Sequence, residues 1–281
     1  MLSYRHAFHA GNHADVLKHF VLMQVLQYFA GKDKPFWYVD THAGAGLYAL
    51  DTGYAAQNAE YASGIGRLWE RSDLPPPLAE YVALVRTFNA GGKLRFYPGS
   101  PACARPLLNA EDRMRLFELH TSDVPLLWQT FKKDARRVII EPIDGFAGLK
   151  ALLPPPPRRA VVLIDPSYEQ KQDYTRVIDA LTDSLQRFAT GTYIVWYPLL
   201  QRPEPKRLQE KLAKLGLKSW LSTTLTVQAP ALGGYGMQGS GLFIVNPPWT
   251  LPGILQETLP YLAHTLGQDD AATYTLEHVI P

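Results

Sequence analysis

The architecture of this chain is best judged from the segment Val161-Val-Leu-Ile-Asp165-Pro166-Ser167-Tyr168. Its four apolar residues predict a buried strand, and the residues after them place a carboxylate, a proline and an aromatic ring at the carboxyl end of that strand. Asp-Pro also opens ordinary turns, so the segment alone is compatible with a plain strand end. Because open α/β sheets bind ligands outside the carboxyl ends of their strands, the layout also suits a ligand site.

A second apolar strand, Phe36-Trp-Tyr-Val, runs into Asp40-Thr-His42-Ala-Gly44-Ala-Gly46. Glycine permits a positive φ and a close approach of backbone to ligand, and nucleotides bind at such strand-to-helix turns. The dinucleotide fingerprint is incomplete, because Ala49 stands where a third glycine would be. S-adenosylmethionine has no pyrophosphate, so this gap counts less against a methyltransferase than against an NAD or ATP enzyme. The two segments together predict a Rossmann-like α/β sheet that binds S-adenosylmethionine, with Gly44 and Asp165 lining one cleft.

Hydrophobic periodicity extends this sheet along the chain. Strands are predicted at 36–39, 114–119, 138–143, 160–164 and 192–196, a closing hairpin at 221–227 and 241–245, and helices at 15–29, 101–108 and 204–215. The alternation stops between residues 48 and 98, where helices are predicted at 61–71 and 78–90. We therefore predict one Rossmann-like methyltransferase domain made of residues 1–47 and 99–281, with an inserted helical subdomain over residues 48–98.

Composition limits the class of protein. A chain of 281 residues with 46% hydrophobic content suits one large domain with an insertion. It has neither an apolar run of about 18 residues nor the pattern of a secretion signal, so we expect a cytoplasmic protein, and we expect it to be a monomer. The single cysteine, Cys103, excludes an intrachain disulfide and a cysteine-rich zinc site, and its thiol is predicted to be buried.

A net charge of only +2 means that any contact with nucleic acid is local. Three basic clusters are candidates, although such clusters are commonly solvated surfaces: Lys132, Lys133, Arg136 and Arg137; Arg158 and Arg159; and Lys206, Arg207, Lys211, Lys214 and Lys218. The aromatic and basic residues Tyr4, Arg5 and His6 suit contact with an extruded nucleotide, and packing over the cleft is an equal alternative. The nearby histidines do not complete a metal-ligand spacing, so we expect no metal.

Carboxylates at the ends of the predicted strands suggest individual roles. Glu118 could accept hydrogen bonds from both ribose hydroxyls, and Asp144 could face the amino group of the cofactor's adenine. Asp165 and the carbonyl of Pro166 could accept the hydrogens of an exocyclic amine, a weak nucleophile because its lone pair conjugates with the ring. Tyr168 could offer an aromatic face to the base.

A competing motif, Asn246-Pro247-Pro248-Trp249, also follows a strand and matches the Asp/Asn-Pro-Pro-aromatic signature of amino-group methyltransferases better. We prefer Asp165 because it ends the fourth strand, carries a carboxylate and neighbours the glycine turn, whereas the strand before Asn246 lies further out in the sheet. The choice predicts that only Asp165 shares a cleft with Gly44.

The chain resembles the RlmJ-type adenine-N6 methyltransferases of bacterial large-subunit ribosomal RNA. The similar segments span nearly the whole chain: 1–6, 8–19, 40–46, 97–101, 144–145, 163–166, 196–198 and 246–249. The resemblance implies a catalytic Asp165, a substrate-contacting Tyr4 and a structural role for Asn246. It also implies that the cofactor is held by His19, His42, Ser100, Glu118, Asp144 and Gly145. The implied reaction is methylation of a flipped adenine in 23S rRNA, adenine 2030 in this family.

Two other functions fit the sequence less well. A DNA adenine-N6 methyltransferase would use the same chemistry, but a dedicated DNA enzyme usually carries a target-recognition domain, and none is visible. A non-methylating protein of external DNA utilisation would depend on a metal and would not bind a methyl donor.

The family pattern is Asp-Pro-Pro-Tyr, and Ser167 replaces its second proline. Losing a fixed φ should loosen the loop and disturb preorganisation more than cofactor binding. We expect a working enzyme whose turnover a Ser167→Pro substitution keeps or raises, measured with saturating donor. A lower turnover in the proline variant would show that the rigidity argument is wrong.

Overall fold

The architecture comes from a computed structural model that describes residues 5–231, 233 and 236–281, Ala56 by its backbone alone. The α-helices of these residues are α1 (His13–Ala30), α2 (Gly53–Asn58), α3 (Ile65–Trp69), α4 (Pro76–Arg86), α5 (Ser100–Ala104), α6 (Asp123–Phe131), α7 (Gly145–Leu152), α8 (Asp173–Arg187), α9 (Pro203–Ala213) and α10 (Leu251–Leu266). The strands are β1 (Trp37–Asp40), β2 (Leu47–Ala49), β3 (Phe96–Pro98), β4 (Arg113–Phe117), β5 (Val138–Glu141), β6 (Ala160–Ile164), β7 (Thr192–Leu199), β8 (Trp220–Thr226), β9 (Gly239–Val245) and β10 (Thr273–Val279).

Eight strands form one sheet in the order β10-β8-β9-β7-β6-β1-β4-β5. The five from β7 to β5 pair in parallel, and β9, β8 and β10 extend the sheet antiparallel beyond β7. The carboxyl ends of β1, β4, β6 and β7 therefore meet at one edge, and β1 lies between β4 and β6. This arrangement confirms the predicted Rossmann-like α/β sheet.

Helices cover both faces of this sheet, which is why its central strands are apolar throughout. All five residues of β6 are buried. One face packs against α1 and α10 together with α3 and α4, and the other against α7, α8 and α9. Helix α1 is buried continuously from His13 to Leu26, so its polar residues lie in the interior. Cys103 is buried, as predicted. None of the described helices is long and apolar enough to cross a membrane.

The segment between β2 and β3 is largely helical, and the two strands pair antiparallel at its base. The helix predicted at 61–71 is divided by Gly64 into a 3-10 turn (Glu60–Ser63) and α3. A side chain at Gly64 would collide with the backbone of Gly11 and Asn12, and the N–H of Ile65 donates to the carbonyl of Gly11 at 2.9 Å. The break therefore seats this segment against the chain that precedes α1.

Asn246 lies at the opposite edge of the sheet from Asp165. Because β9 runs antiparallel to β7, its last residue, Val245, pairs with Tyr193 near the start of β7. The Asn246 amide donates to the carbonyls of Ala189 and Gly191 at 2.9 and 2.8 Å, in a left-handed backbone conformation with φ 53°. These contacts give Asn246 a structural role in a turn, and the two candidate motifs do not share a cleft.

Candidate functional site

A cavity of about 770 Å³ opens at the edge where the parallel strands end. It is lined by every residue predicted to hold the cofactor: His19, His42, Gly44, Ser100, Glu118, Asp144, Gly145 and Asp165. Pro166, Tyr168 and His6 also line it, whereas Arg5 does not, since its guanidinium lies 5.0 Å from the ring centroid of Tyr54. Tyr4 lies outside the described residues. Residues from distant parts of the sequence thus converge on one chamber.

The turn after β1 forms one wall of the cavity. Gly44 has φ 61°, and a side chain there would collide with the hydroxyl of Tyr48. The N–H of Gly44 donates to Glu118 at 2.7 Å, and that of His120 donates to the other carboxylate oxygen at 2.6 Å. Burial raises the pKa of Glu118, although both bonds favour its charged form. The turn after β1 and the carboxylate after β4 therefore form one rigid unit.

Asp40, which the sequence analysis left without a role, anchors the same turn. Its carboxylate accepts hydrogen bonds from the hydroxyls of Tyr38 and Ser100 at 2.7 and 2.6 Å, and from the N–H of His42 at 3.2 Å. Burial raises the pKa of this carboxyl group. Two of the residues predicted to hold the cofactor, His42 and Ser100, are thus positioned by one buried side chain.

Asp144 caps the first turn of α7. One carboxylate oxygen accepts the N–H groups of Phe146 and Ala147 at 2.9 and 3.1 Å, and the other pairs with Arg176. Burial opposes the charge, but the guanidinium and the two N–H groups outweigh it and lower the pKa of Asp144. The neighbouring Gly145 is required because a side chain there would collide with the carbonyl of Thr41. The amino end of α7 therefore lies directly against the turn after β1.

Lys18 is a functional candidate that the sequence analysis missed. From the interior of α1 its ammonium contacts Asp165 at 2.6 Å and Asp15 at 3.0 Å. Burial opposes the charge, but the two carboxylates outweigh it and raise the pKa of Lys18 above its ordinary value. The pKa of the buried Asp15 is held well below its ordinary value, because neighbouring cations outweigh the effect of burial. The only sequence signal was a pair of opposite charges three residues apart inside an otherwise apolar helix.

The amino-terminal segment lies over this ion pair. His6 is 2.9 Å from the Asp15 carboxylate, and His9 is 2.9 Å from Glu60 in the 3-10 turn. The Asn12 amide donates to the other oxygen of Glu60 at 3.0 Å. For the described part of this segment, these contacts match the predicted packing over the cleft, and they leave the nucleotide-contact alternative untested.

Tyr168 does not offer the open face that the sequence analysis expected. Its backbone is left-handed, with φ 53°, and its side chain is only 2% exposed. The hydroxyl donates to the carbonyl of Trp196 at 2.6 Å, and the ring packs against Tyr174 with centroids 4.5 Å apart. Trp196 lines the cavity beside Lys18, whose ammonium lies 5.5 Å from the indole centroid. Trp196 is therefore the better candidate for contact with a planar ligand.

A chain of buried hydrogen bonds reaches His19 from α4. The hydroxyl of Tyr97 lies 2.8 Å from Nδ1 of His19 and 2.8 Å from the hydroxyl of Tyr81. Because Tyr81 has no other hydroxyl partner among the described residues, we infer that its proton goes to Tyr97 and that the Tyr97 proton goes to Nδ1. Burial lowers the pKa of His19 to about 3, so the ring is neutral and carries its proton on Nε2. Its donor then faces the cavity, with Nε2 3.9 Å from Asp15.

The described residues include no group of three or more His, Cys, Asp or Glu side chains placed to hold a metal ion. Two of the histidines that line the cavity, His13 and His42, are deeply buried, and burial lowers the pKa of both to about 4. The described lining of the cavity thus combines carboxylates, the ammonium of Lys18, the guanidinium groups of Arg176 and Arg202, and several imidazoles.

Comparison with known proteins gives a consistent result. The family model described as "Ribosomal RNA large subunit methyltransferase D, RlmJ" matches residues 33–280. Two relatives named "Ribosomal RNA large subunit methyltransferase J" match over the full length of both chains, that of Haemophilus influenzae at 47% identity over 282 residues and that of Escherichia coli K12 at 46% over 281. The crystal structure of protein LPL1258 from Legionella pneumophila superposes with a TM-score of 0.88 at 35% identity, covering 96% of this chain and 98% of that one.

The buried neutral histidines should make the fold sensitive to mild acid. His13, His19 and His42 have folded-state pKa values of about 4, 3 and 4, below the ordinary 6.5, so the unfolded chain takes up protons first as the pH falls. The free energy of unfolding should therefore drop between about pH 6.5 and pH 4, by at most about 1.4 kcal/mol per pH unit for each histidine. His9 acts in the opposite sense, because the hydrogen bond that its ring donates to the Glu60 carboxylate raises its pKa.

Urea unfolding between pH 7 and pH 4 measures this dependence. His13→Gln should reduce the slope, and His264→Gln, on the exposed side of α10, should leave it unchanged. A free energy of unfolding that stayed constant from pH 7 to pH 5 would contradict the assignment of neutral buried rings.

The hydrogen-bond chain fixes the tautomer of His19, and imidazole ¹⁵N chemical shifts report it directly. We expect the Nε2–H form in the unmodified protein and a shift towards a mixture of tautomers in Tyr97→Phe, with a loss of about 1–3 kcal/mol in the free energy of unfolding. Tyr61→Phe is the matched control, since the Tyr61 hydroxyl has no hydrogen-bond partner among the described residues. Finding the Nδ1–H form in the unmodified protein would reverse the deduced direction of the chain.

Proposed function

Since the chain belongs to the RlmJ family of large-subunit ribosomal RNA methyltransferases, we propose that it transfers a methyl group from S-adenosylmethionine to the N6 amino group of an adenine in 23S rRNA. The full-length identity of 46–47% to the two named relatives supports rRNA as the substrate. The family resemblance points to adenine 2030 as the target. Methylation of one adenine within a folded RNA requires that the base leave its stack, so base flipping belongs to the proposal.

The observation that carries this proposal is the adjacency of two strand ends. Strands β1 and β6 pair in parallel with Asp40 opposite Leu163, so the turn containing Gly44 and the segment beginning at Asp165 follow at the same level of the sheet. Both line one cavity. A donor held over the glycine turn would therefore have its reactive end beside the carboxylate of Asp165.

The residues present fit S-adenosylmethionine. Glu118 would accept from the ribose hydroxyls, and Asp144 with Gly145 would border the adenine at the amino end of α7. His19, His42 and Ser100 would complete the binding site around the turn after β1. When bound, the cofactor would supply an electrophilic methyl group.

Asp165 would act on the substrate amine. Lys18 occupies one of its carboxylate oxygens, which leaves the other oxygen and the carbonyl of Pro166 to accept the hydrogens of the N6 amino group. Accepting these hydrogens localises the nitrogen lone pair and directs it towards the methyl carbon. The N–C bond would form as the S–C bond breaks and its electron pair stays on sulfur. The nitrogen then becomes acidic and would pass its proton to the free oxygen of Asp165, which need not be a strong base. The cavity continues from Asp165 to Trp196, Pro198 and Arg202, where the flipped base would lie.

One alternative function differs from the proposed reaction in its substrate, and the other in its inability to bind the methyl donor. A DNA adenine-N6 methyltransferase would modify duplex DNA and leave 23S rRNA unmodified. A non-methylating protein of external DNA utilisation would not bind S-adenosylhomocysteine. Mass spectrometry of 23S rRNA from a deletion strain, combined with calorimetry of the purified protein, distinguishes both from the proposed reaction.

Asp165→Ala tests the role of the carboxylate. We expect turnover on unmethylated 23S rRNA to fall by at least about 100-fold, because the amine loses its acceptor, while calorimetry still shows binding of S-adenosylhomocysteine. The free energy of unfolding should fall by about 3–5 kcal/mol, because Lys18 loses one of its two carboxylate partners. The matched control is Asn246→Ala, which should keep turnover and lose about 1–3 kcal/mol of stability, since it leaves two turn carbonyls unpaired. Near-normal turnover in Asp165→Ala together with an inactive Asn246→Ala would overturn the choice of motif.

A further inference from the structure

The net charge of the chain is only +2, so an RNA substrate must be held by a local group of cations. Three basic clusters compete for this role in the sequence, and nothing in their composition separates them. Their positions relative to the sheet distinguish them. The relevant question is which cluster lies at the carboxyl edge, where the cavity opens.

Two of the clusters lie at the wrong edge. Arg136 and Arg137 directly precede β5, and Arg158 and Arg159 directly precede β6, so both pairs lie at the amino ends of parallel strands. Arg159 is also committed to the fold, since it donates to the carbonyl of Lys34 and its guanidinium lies 5.0 Å from the ring centroid of Phe29. RNA bound to these cations would be separated from the cavity by the length of the strands.

The third cluster lies on α9, which starts at the carboxyl edge beside the cavity and runs towards the amino edge, where β8 begins at the level of Tyr193. Arg202 follows β7 and lines the cavity, and α9 starts at the next residue. Pro205, Leu208 and Leu212 bury one side of α9. Arg207, Lys211 and Lys214 follow at intervals of four and three residues, so they form one exposed stripe about 10 Å long, with Lys214 directly after the last residue of α9.

These cations are available for phosphate. None of the three stripe residues forms an ion pair with another described residue. Of the two acidic residues on α9, Glu204 is paired with Lys171 at 3.1 Å, and Glu210 lies beside the stripe without an ion pair among the described residues. Asp179 and Asp183 of α8 face the groove towards α7. The stripe thus keeps an excess of positive charge along a helix that starts beside the cavity and leads away from it.

We propose that the stripe Arg207, Lys211 and Lys214, continuing from Arg202, is the surface that binds the phosphate backbone of the RNA next to the flipped adenine. This assignment rests on the proposed function. Phosphate contacts position a nucleic acid without reading its sequence, so the stripe would set the affinity and placement of the RNA and leave the choice of base to the cavity. Arg202 would connect the stripe with the cavity, because it lines the cavity and directly precedes α9.

The test compares two triple charge reversals that change the net charge by the same amount. The stripe variant is Arg207→Glu, Lys211→Glu and Lys214→Glu, and the control is Lys132→Glu, Lys133→Glu and Arg136→Glu, exposed residues at the amino edge. The substrate is deproteinised 23S rRNA from a deletion strain. We expect the stripe variant to raise KM for RNA by about 10-fold or more with kcat within about threefold, and to reduce the salt slope of log K by about 2. The control should stay within about twofold on both measures.

Because reversed charges near the end of α9 could weaken the helix, a neutral variant (Arg207→Gln, Lys211→Gln and Lys214→Gln) is measured in parallel and should fall between the unmodified protein and the reversal. An unchanged KM in both stripe variants, or an equal rise in the control, would overturn the assignment of this surface. A failure of the unmodified protein to methylate 23S rRNA while still binding donor would instead overturn the proposed function. S-adenosylhomocysteine binding should be the same in all variants, which separates RNA docking from the donor site.

Discussion

A buried ammonium between two carboxylates connects the two parts of the molecule on which the site depends. Lys18 comes from the first helix, Asp15 from one turn earlier and Asp165 from the end of β6, 147 residues away. Removing one member of such a buried group leaves an uncompensated charge and costs about 3–5 kcal/mol. The same ion pairs therefore fix both the position of α1 against the sheet and the orientation of the Asp165 carboxylate. His6 extends it to the amino-terminal segment through its contact with Asp15.

The helical segment between β2 and β3 is tied to the same group of residues. Gly64 packs against Gly11 and Asn12, and Glu60 holds both His9 and the Asn12 amide. On the inner side, Tyr81 and Tyr97 reach His19 through hydroxyl groups. These contacts run from the insertion to the first nineteen residues and so to the cavity. The insertion is best understood as part of the wall of the site.

The sheet could be predicted from sequence because its central strands are buried on both faces and are therefore continuously apolar. The antiparallel strand β10 was missed for the opposite reason, since six of its seven residues are exposed and its apolar residues do not form a continuous run. Local patterns also failed where a distant contact decided the conformation. The break at Gly64 depends on a segment more than fifty residues earlier, and the inward turn of Tyr168 depends on its positive φ and on a carbonyl of β7.

In the candidate site, too, sequence patterns predicted some residues and missed others. Glu118 and Asp165 could be predicted because each directly follows a strand, and Asp144 because it lies three residues after one. Lys18 and Asp40 could not, because one looked like a polar residue of an ordinary helix and the other like the end of a strand. Their significance comes from partners that only the folded chain brings near. The hydrophobic periodicity of a sequence identifies helices and strands, whereas the role of a buried charged residue follows from its neighbours in the folded structure.

Gly44 and Gly145 share one property, since at each of them a side chain would collide with a neighbouring group. At Gly145 the colliding group is the backbone carbonyl of Thr41, and at Gly44 it is the hydroxyl of Tyr48, so neither position has room for a side chain. Substitutions at neighbouring positions can change the charge of this part of the cavity wall, but they cannot easily widen the cavity there. Attempts to fit bulkier donor analogues would have to gain room elsewhere, on the side formed by Trp196 and the amino-terminal segment.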